Sequence, residues 1–448
     1  MHARAANPAH HDMDLQELPP STSSRLVRPW HQQPGALARF MADLVVDEIA
    51  HQRPGAPALP AGPWPLQTLL GEDGLGLDSL ERMSVAAALS EALHLHESGV
   101  EDLLSTGSTT FGEWLQITSR ALAHFDACIT FRTSGSSGKP KPCTHTLADL
   151  QQETRFLASL LCGEGHDEIH APLRRVLTAV PAHHIYGFLF TVLLPAELGQ
   201  LPVQDVRNVT VNNLPRRMTA GDLLVSHPAH WALLARHANA FPAGVVGTTS
   251  TAPCPDETAQ ALTDLGLQRL VQVYGSSETA GIAWRDAPAA NYELMAHWTR
   301  TEGQANELLR VSSSLASSVS SSLSSNMAPR TYPMQDALNW HSQRHFKVAG
   351  RMDQAVQVGG INVFPSRVRD VLLQHPEVAD AAVRLMTVYD STRLKAYVVP
   401  KFDVATTDLQ QRLDTWLAPR LSAAERPRAF ALGSALPRNA QGKLVDWV

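Results

Sequence analysis

Nine consecutive residues, Thr133-Ser134-Gly135-Ser136-Ser137-Gly138-Lys139-Pro140-Lys141, hold the densest chemistry in this chain of 448. A loop of hydroxyls and glycines lets backbone N–H and side-chain O–H groups wrap a polyphosphate, and the lysines add charge. It is not a Walker A loop, because Gly-Lys-Ser/Thr is absent and Pro140 interrupts a helix start. The competing reading is a Ser/Gly linker. Lysine usage weighs against the linker. Only six lysines (Lys139, Lys141, Lys347, Lys395, Lys401, Lys443) stand among 37 basic residues. A chain that otherwise writes arginine places each lysine against its own bias, which singles out Lys139, Lys141 and Lys443. A second cluster, His183-His184-Ile185-Tyr186-Gly187, offers imidazoles. Adjacent side chains in a strand point apart and no third ligand is near, so a metal site there is disfavoured.

These residues need a scaffold. Residues 1–33 are polar, with Pro19-Pro20 and a Ser/Thr run, and read as a disordered leader. From Ala36, apolar residues recur at helical spacing (Leu37, Phe40, Met41, Leu44, Ile49). A second helical pattern, Leu80, Met83, Ala87 and Leu93, opens at Asp78-Ser79, either of which can cap it. A third covers Phe111 to Leu122. After Asp126 short apolar runs appear at Cys128–Phe131, Val176–Val180, Leu223–Val225, Val245–Val246 and Leu270–Val273, with helical stretches at Ala148–Leu161 and Asp256–Leu265. The alternation predicts an α/β layer around a largely parallel sheet. Ser312–Ser325 is low-complexity. Beyond Gly350 a strand-helix-strand pattern (Val356–Val363, Pro365–His375, Ala381–Leu385, Leu394–Val399) predicts a small separate α+β domain.

Composition excludes several classes. The formal net charge of −6 gives no electrostatic reason to expect nucleic acid. No apolar run approaches a membrane span, and the first twenty residues lack a secretory apolar stretch. The four cysteines (Cys128, Cys143, Cys162, Cys254) form no CxxC pair. A reducing cytoplasm is the expected compartment.

The phosphate loop resembles that of the adenylate-forming superfamily, which includes acyl- and aryl-CoA ligases, nonribosomal peptide adenylation domains and firefly luciferase. Further motifs follow in the family's order. Val273-Tyr274-Gly275-Ser276-Ser277-Glu278 is similar to its Tyr-Gly-x-Thr-Glu segment, with Ser277 for Thr. Tyr332-Pro333-Met334-Gln335-Asp336 resembles the segment ending in the ribose-binding aspartate, although the usual Thr-Gly is Met-Gln. Gly350-Arg351-Met352-Asp353 and Gly359-Gly360-Ile361-Asn362-Val363-Phe364-Pro365 resemble the hinge and the start of the family's mobile C-terminal domain. Leu436 to Lys443 resembles the terminal motif that carries the adenylation lysine. The match covers about residues 125 to 448, and the wording after Gly359 is most similar to aryl-acid ligases such as phenylacetate- and benzoate-CoA ligases.

The resemblance implies ATP and Mg²⁺ as cofactors and assigns roles. Lys443 and Glu278 would be catalytic, Glu278 as the Mg²⁺ ligand. Thr133, Ser134, Gly135, Ser136, Ser137, Gly138 and Lys141 would hold the phosphates. Tyr274, Ser277, Asp336, Arg351, Ser250 and Thr251 would hold the nucleoside. His184, Tyr186 and Gly275 would line the acyl pocket, Asp353 would be the hinge, and Gly359 and Gly360 would line the tunnel of the thiol arm. The elementary chemistry agrees: a carboxylate attacking the α-phosphorus of ATP needs charge neutralisation and alignment rather than a covalent nucleophile.

Where the family usually has well over a hundred residues before the phosphate loop, this chain has the helical segment 34–124. Leu75-Gly76-Leu77-Asp78-Ser79-Leu80 resembles the phosphopantetheine attachment motif of acyl carrier proteins. Between Trp64 and Arg120 stand nine acids (Glu72, Asp73, Asp78, Glu81, Glu91, Glu97, Glu101, Asp102, Glu113) against Arg82 and Arg120, an acidity that suits partners with basic patches. The competing reading is that Ser79 merely caps a helix of a divergent ligase N-terminus. The expected architecture is therefore a small all-α carrier-like domain (34–124), a large α/β adenylation core (125–350) and a small mobile α+β domain (351–448). The expected activity is ligation of a carboxylic acid, in particular an aromatic one of hydroxybenzoate type, to a phosphopantetheine thiol. The acceptor would be an arm on Ser79, a separate acyl carrier protein, or CoA. The rivals are a degenerate, non-catalytic nucleotide-binding scaffold and a partner-docking protein.

Overall fold

The computed structural model describes residues 28–53, 56–100, 104, 109–133, 141–163, 172–288, 291–301, 303–304, 306–311, 330–352, 355–388, 391–402, 404–438 and 444–447. The helical spacing at the start is realised as α1 (Ala36–Gln52), which buries Leu37, Phe40, Met41, Leu44 and Ile49. Helix α2 (Ser79–Leu93) opens on a reciprocal capping box. Asp78 accepts from the Glu81 N–H at 2.8 Å, and Glu81 accepts from the Asp78 N–H at 2.9 Å. Helix α3 (Phe111–His124) opens on the equivalent Thr110–Glu113 box.

The buried face of α2 is not the expected one. Leu80 and Met83 are 76% and 59% exposed, whereas Val85, Ala88 and Leu89 are buried. The physical reason is its docking on α1: Arg53 pairs with both Glu81 oxygens, and the Ser84 hydroxyl donates to Glu48 at 2.6 Å. Those contacts turn Glu81 and Ser84 inward and leave Leu80 in water.

Nor do these helices keep a core of their own. Trp30, Phe40, Leu89, Phe111 and Trp114 belong to one continuous apolar cluster with Phe131, Phe188, Val225 and Val271. Buried Asp43 accepts from the Ala182 N–H and from Arg207, both at 2.7 Å, and Arg39 donates to the Thr191 carbonyl at 2.6 Å. In packing, residues 34–124 are part of the α/β domain rather than a unit with a separate core.

The first strand, β1 (Cys128–Thr133), does not enter the main sheet. It pairs antiparallel with β2 (Lys141–Thr146), Thr133 opposite Lys141. Helix α4 (Leu147–Cys162) follows, capped by Thr146. Strands β3 (Arg175–Thr178), β4 (Val203–Asp205), β5 (Asp222–Ser226), β6 (Val246–Thr249) and β7 (Arg269–Ser276) then form the expected parallel half-sheet, in the order β4-β3-β5-β6-β7. Beyond β7 the sheet turns antiparallel through β8 (Ala280–Asp286) and β9 (Tyr292–Leu294). Strands β10 (Trp298–Arg300), β11 (Glu307–Arg310) and β12 (Arg330–Pro333) make a separate three-stranded sheet. Strands β13 (Asp336–Trp340) and β14 (His345–Arg351) complete the nine-stranded one. Ser312–Ser325 lies outside the described residues.

The terminal domain matches its expectation. A hairpin, β15 (Val356–Val358) and β16 (Ile361–Val363), turns at Gly359-Gly360 and leads into α5 (Pro365–Leu373). Strands β17 (Val378–Val388) and β18 (Ser391–Pro400), helix α6 (Leu409–Leu417) and β19 (Ala429–Leu432) close around their own core of Val363, Leu372, Val398 and Leu413. Among the described residues, no helix is long and apolar enough to cross a membrane.

Candidate functional site

The hairpin β1–β2 brings the ends of the hydroxyl-rich loop together at Thr133 and Lys141. Ser134, Gly135, Ser136, Ser137, Gly138 and Lys139 lie outside the described residues. Lys141 is exposed at the hairpin mouth. The Cys143 thiol lies two residues inward from that mouth. Burial and then the Glu278 carboxylate push it up to about 11, while Lys141 opposes them. Glu278 therefore lies near enough to the β1–β2 hairpin to be felt electrostatically, although 135 positions separate it from Cys143 in sequence. It sits on the exposed turn between β7 and β8. The His145 ring donates from Nε2 to the Ser277 carbonyl at 2.6 Å and ties β2 to that turn. Gly275 is required there, because a Cβ would fall 2.0 Å from the Ala280 carbonyl oxygen.

A second cluster forms where the antiparallel strands meet β7. The Tyr274 hydroxyl donates to Asp336 Oδ2 at 2.6 Å. Asp336 and Arg351 are register partners on β13 and β14, with Arg351 Nε 3.7 Å from Asp336 Oδ1. Burial and the Asp336 charge raise the Tyr274 pKa well above its usual value, so the hydroxyl stays a donor. The structure thus gathers three of the residues expected to hold the nucleoside. The altered neighbours of Asp336 have their own places: Gln335 accepts from Arg351 Nη2 at 2.8 Å and Met334 is buried. Ser277, expected beside them, stands half-buried in the β7–β8 turn. Ser250 donates to the Val273 carbonyl at 2.9 Å, which fixes the loop after β6 against β7. Gly360 of the terminal domain approaches that loop so closely that a methyl on it would lie 3.1 Å from Thr251 Oγ1. Gly359 occupies the same hairpin turn.

Tyr186 and His184 separate in role. The Tyr186 hydroxyl donates to the Ser226 carbonyl at 3.0 Å and lies 2.9 Å from Thr248 Oγ1, so both of its hydrogen-bonding directions are taken by β5 and β6. It offers a ring, 5.0 Å from Phe190 between centres, rather than a free hydroxyl. His184 is accessible to solvent at the floor of a concavity, yet crowded by protein atoms, and burial and then His183 lower its pKa. That concavity, about 50 Å³, lies between α1, α2 and β1 and is lined by Asp47, Glu91, Thr130, Arg132, His183 and His184. His183 Nε2 is 3.5 Å from Asp47.

Among the described residues, no group of three or more His, Cys, Asp or Glu side chains could hold a metal. The exposed Glu278 carboxylate is a hard oxygen donor on the turn that His145 ties to the β1–β2 hairpin, a donor type that would suit Mg²⁺. Lys443 and Asp353 lie outside the described residues. The segment just after Lys443 is anchored on the terminal domain: Arg384 donates to the Leu444 carbonyl at 2.8 Å, and Lys395 Nζ is 2.9 Å from Asp446.

No sequence motif points to Glu153, Trp298 or Arg310, which grip the β7–β8 turn from behind. A lone acid inside an amphipathic helix reads as solvated surface.

A half-parallel sheet with the β1–β2 hairpin tied to its β7–β8 turn, and a separate terminal domain beyond it, is the frame of an adenylate-forming enzyme. The AMP-binding enzyme model matches residues 76–303 and the AMP-binding enzyme C-terminal domain model matches residues 368–443. The chain belongs to the AMP-binding enzyme family and is an AMP-forming acid–CoA ligase. It is 37% identical over 400 residues to the 4-coumarate–CoA ligase of Cereibacter sphaeroides, covering 89% of this chain and 90% of that one. The 4-coumarate–CoA ligase of Halorhodospira halophila is 36% identical over 376 residues, 84% of this chain and 89% of the relative. Among solved structures, an o-succinylbenzoate CoA synthetase variant from Bacillus subtilis aligns with a TM-score of 0.55 at 18% identity, covering 92% of each chain. An amide bond synthetase from Marinactinospora thermotolerans aligns at 0.52 and 15% identity, covering 92% of this chain and 93% of that one. Those two likenesses speak for the fold.

Proposed function

We propose that the chain activates a hydroxylated aromatic acid as its acyl adenylate and transfers the acyl group to the thiol of CoA. A carboxylate oxygen attacks the α-phosphorus of ATP, the bond to pyrophosphate breaks, and the mixed anhydride forms. The thiol then attacks the acyl carbon, AMP leaves, and the thiol proton passes to solvent. Asp336 and Arg351 orient the ribose, and the β1–β2 loop with Lys141 receives the phosphates. Lys443 bridges the acid and the α-phosphate. Glu278 would hold Mg²⁺, which supplies charge neutralisation when bound. Rotation about Asp353 would exchange Lys443 for the Gly359-Gly360 turn between the two half-reactions.

The observation that carries the nucleotide half is the Tyr274–Asp336 hydrogen bond with Arg351 alongside. The acid class is supported by the relatives named 4-coumarate–CoA ligases, and 4-hydroxycinnamate and hydroxybenzoates are the first acids to try. Pyrophosphate exchange over aromatic and fatty acids, followed by CoA-thioester detection, tests the reading. Exchange with fatty acids alone overturns the aromatic assignment, and exchange with no acid favours the scaffold alternative.

One observation favours a second acceptor: Ser79 is exposed at the start of α2, beside exposed Leu80 and Met83. Intact-mass analysis after treatment with a phosphopantetheinyl transferase and CoA decides it, since only a carrier gains the arm, and Ser79→Ala must abolish the gain.

A further inference from the structure

The turn that carries Glu278 is held from behind by four side chains that the chemistry above does not use. Glu153 on α4 is fully buried, and its Oε1 accepts from the Gly281 N–H at 2.9 Å. Its Oε2 is buried without a hydrogen-bond partner among the described residues. Trp298 on β10 donates from Nε1 to the Gly281 carbonyl at 2.8 Å. Buried Arg310 on β11 donates to the Thr279 carbonyl at 3.1 Å and to the Asp149 carbonyl at 2.7 Å, with its guanidinium 5.5 Å from the Trp298 ring centre. His145 on β2 takes the Ser277 carbonyl. Four elements thus grip backbone groups between Ser277 and Gly281. The fit is close: a Cβ on Gly281 would lie 2.4 Å from Glu153 Oε1. Burial pushes the Glu153 carboxyl up to about 7, against the opposing Arg310 charge. Burying an acid in this way costs stability, so its presence calls for a role other than stability.

We propose that Glu153, backed by Arg310, is a positioning residue that fixes the Ser276–Gly281 turn so that Glu278 meets the Mg²⁺ of the incoming nucleotide. The proposal rests on the reading of Glu278 given above and adds the buried residue that holds it. Glu153 touches neither substrate nor cation; it acts through the Gly281 amide. Arg310 acts through the Thr279 carbonyl.

The full-length chain is compared with Glu153→Met, Glu153→Gln and Glu278→Gln. Methionine fills a similar volume without accepting the Gly281 N–H, whereas glutamine still accepts it. Three readouts are taken: Mn²⁺ binding by electron paramagnetic resonance with α,β-methylene-ATP, pyrophosphate exchange, and thioester formation from supplied acyl adenylate and CoA. Glu153→Met is expected to weaken Mn²⁺ binding about tenfold or more, with exchange falling in parallel. Thioester formation should hold, and Glu153→Gln should restore both losses. The proposal is overturned if Glu153→Met binds Mn²⁺ like the parent. It is equally overturned if both half-reactions fall together and glutamine rescues neither, which leaves a structural role only. If Glu278→Gln binds Mn²⁺ like the parent, the underlying reading of Glu278 fails, whatever Glu153 does. Should Glu153→Met not fold, Arg310→Met frees the Thr279 carbonyl and is judged by the same readouts.

Discussion

Asp336→Asn isolates a charge at nearly constant shape. The amide oxygen introduced by that substitution can still accept from Tyr274, which now donates to Asp336 at 2.6 Å, so the β7–β13 contact survives. Arg351, 3.7 Å from the carboxylate, loses its counter-charge but keeps its bond to Gln335. If Asp336 holds the ribose as proposed, what disappears is a charged acceptor for two ribose hydroxyls. Hydrogen bonds to charged groups contribute about 1.5–3 kcal/mol and neutral ones about 0.5–1.5, so each ribose contact weakens by about 1 kcal/mol. Two contacts amount to about 2 kcal/mol, or roughly 30-fold in the KM for ATP. The ribose is remote from the reacting phosphorus, so kcat should change little; uniform binding is what is lost. The assay is pyrophosphate exchange with ATP varied at saturating acid. An unchanged KM for ATP, with the melting temperature also unchanged, would refute the assignment and leave Tyr274, Asp336 and Arg351 as scaffold.

Lys443→Ala should abolish pyrophosphate exchange while leaving thioester formation from supplied acyl adenylate close to the parent; equal loss in both half-reactions would remove Lys443 from the adenylation step. Asp43→Ala leaves the Ala182 N–H unpaired and takes one of two acidic partners from Arg207, and removing one member of a buried pair costs about 3–5 kcal/mol. Calorimetry should show α1 and the main sheet melting together at lower temperature, because α1 shares the core of the sheet; an independent early transition of the helices would contradict that. Glu153→Gln should raise stability at pH 8. The folded carboxyl sits near 7 against an unfolded value of 4.5, so the parent gains relative stability below pH 4.5 and loses it as pH rises through 7. The difference at pH 8 is about 3 kcal/mol and should shrink toward pH 5; a variant less stable than the parent at pH 8, or a difference independent of pH, would contradict the burial cost.

The residues expected to meet phosphate and ribose stood out in the sequence because that chemistry prescribes residue types in short runs. Thr133 and Lys141 emerged paired at the mouth of a hairpin, and Tyr274, Asp336 and Arg351 emerged together. The unusual Met334-Gln335 before Asp336 has defined places, one side chain buried and the other holding Arg351. Pairing was less legible. Cys128–Phe131 read correctly as a strand, but its partner is its own hairpin, since local residues do not state which edge a strand will join. The face of α2 misled because apolar residues line both sides of that helix, and its rotation is settled by Arg53 and Glu48 on and beside α1. Glu153 was illegible for the same reason at longer range: the amide that justifies its burial lies 128 residues away.

The helices before the phosphate hairpin show where such long-range information ends up. Their sequence suggested a detachable module, because acidity, a Gly-Leu-Asp-Ser start and helical spacing are all local properties. Whether a helix owns its core is not local. It depends on Phe40 meeting Phe188 at 5.8 Å between ring centres and on Asp43 reaching Ala182, 139 positions further along the chain. The same contacts place α1 and α2 against His183, so that the concavity at His184 is walled by Asp47 and Glu91. The helical segment therefore belongs to the α/β domain in packing, and it supplies one wall of the concavity that His184 lines.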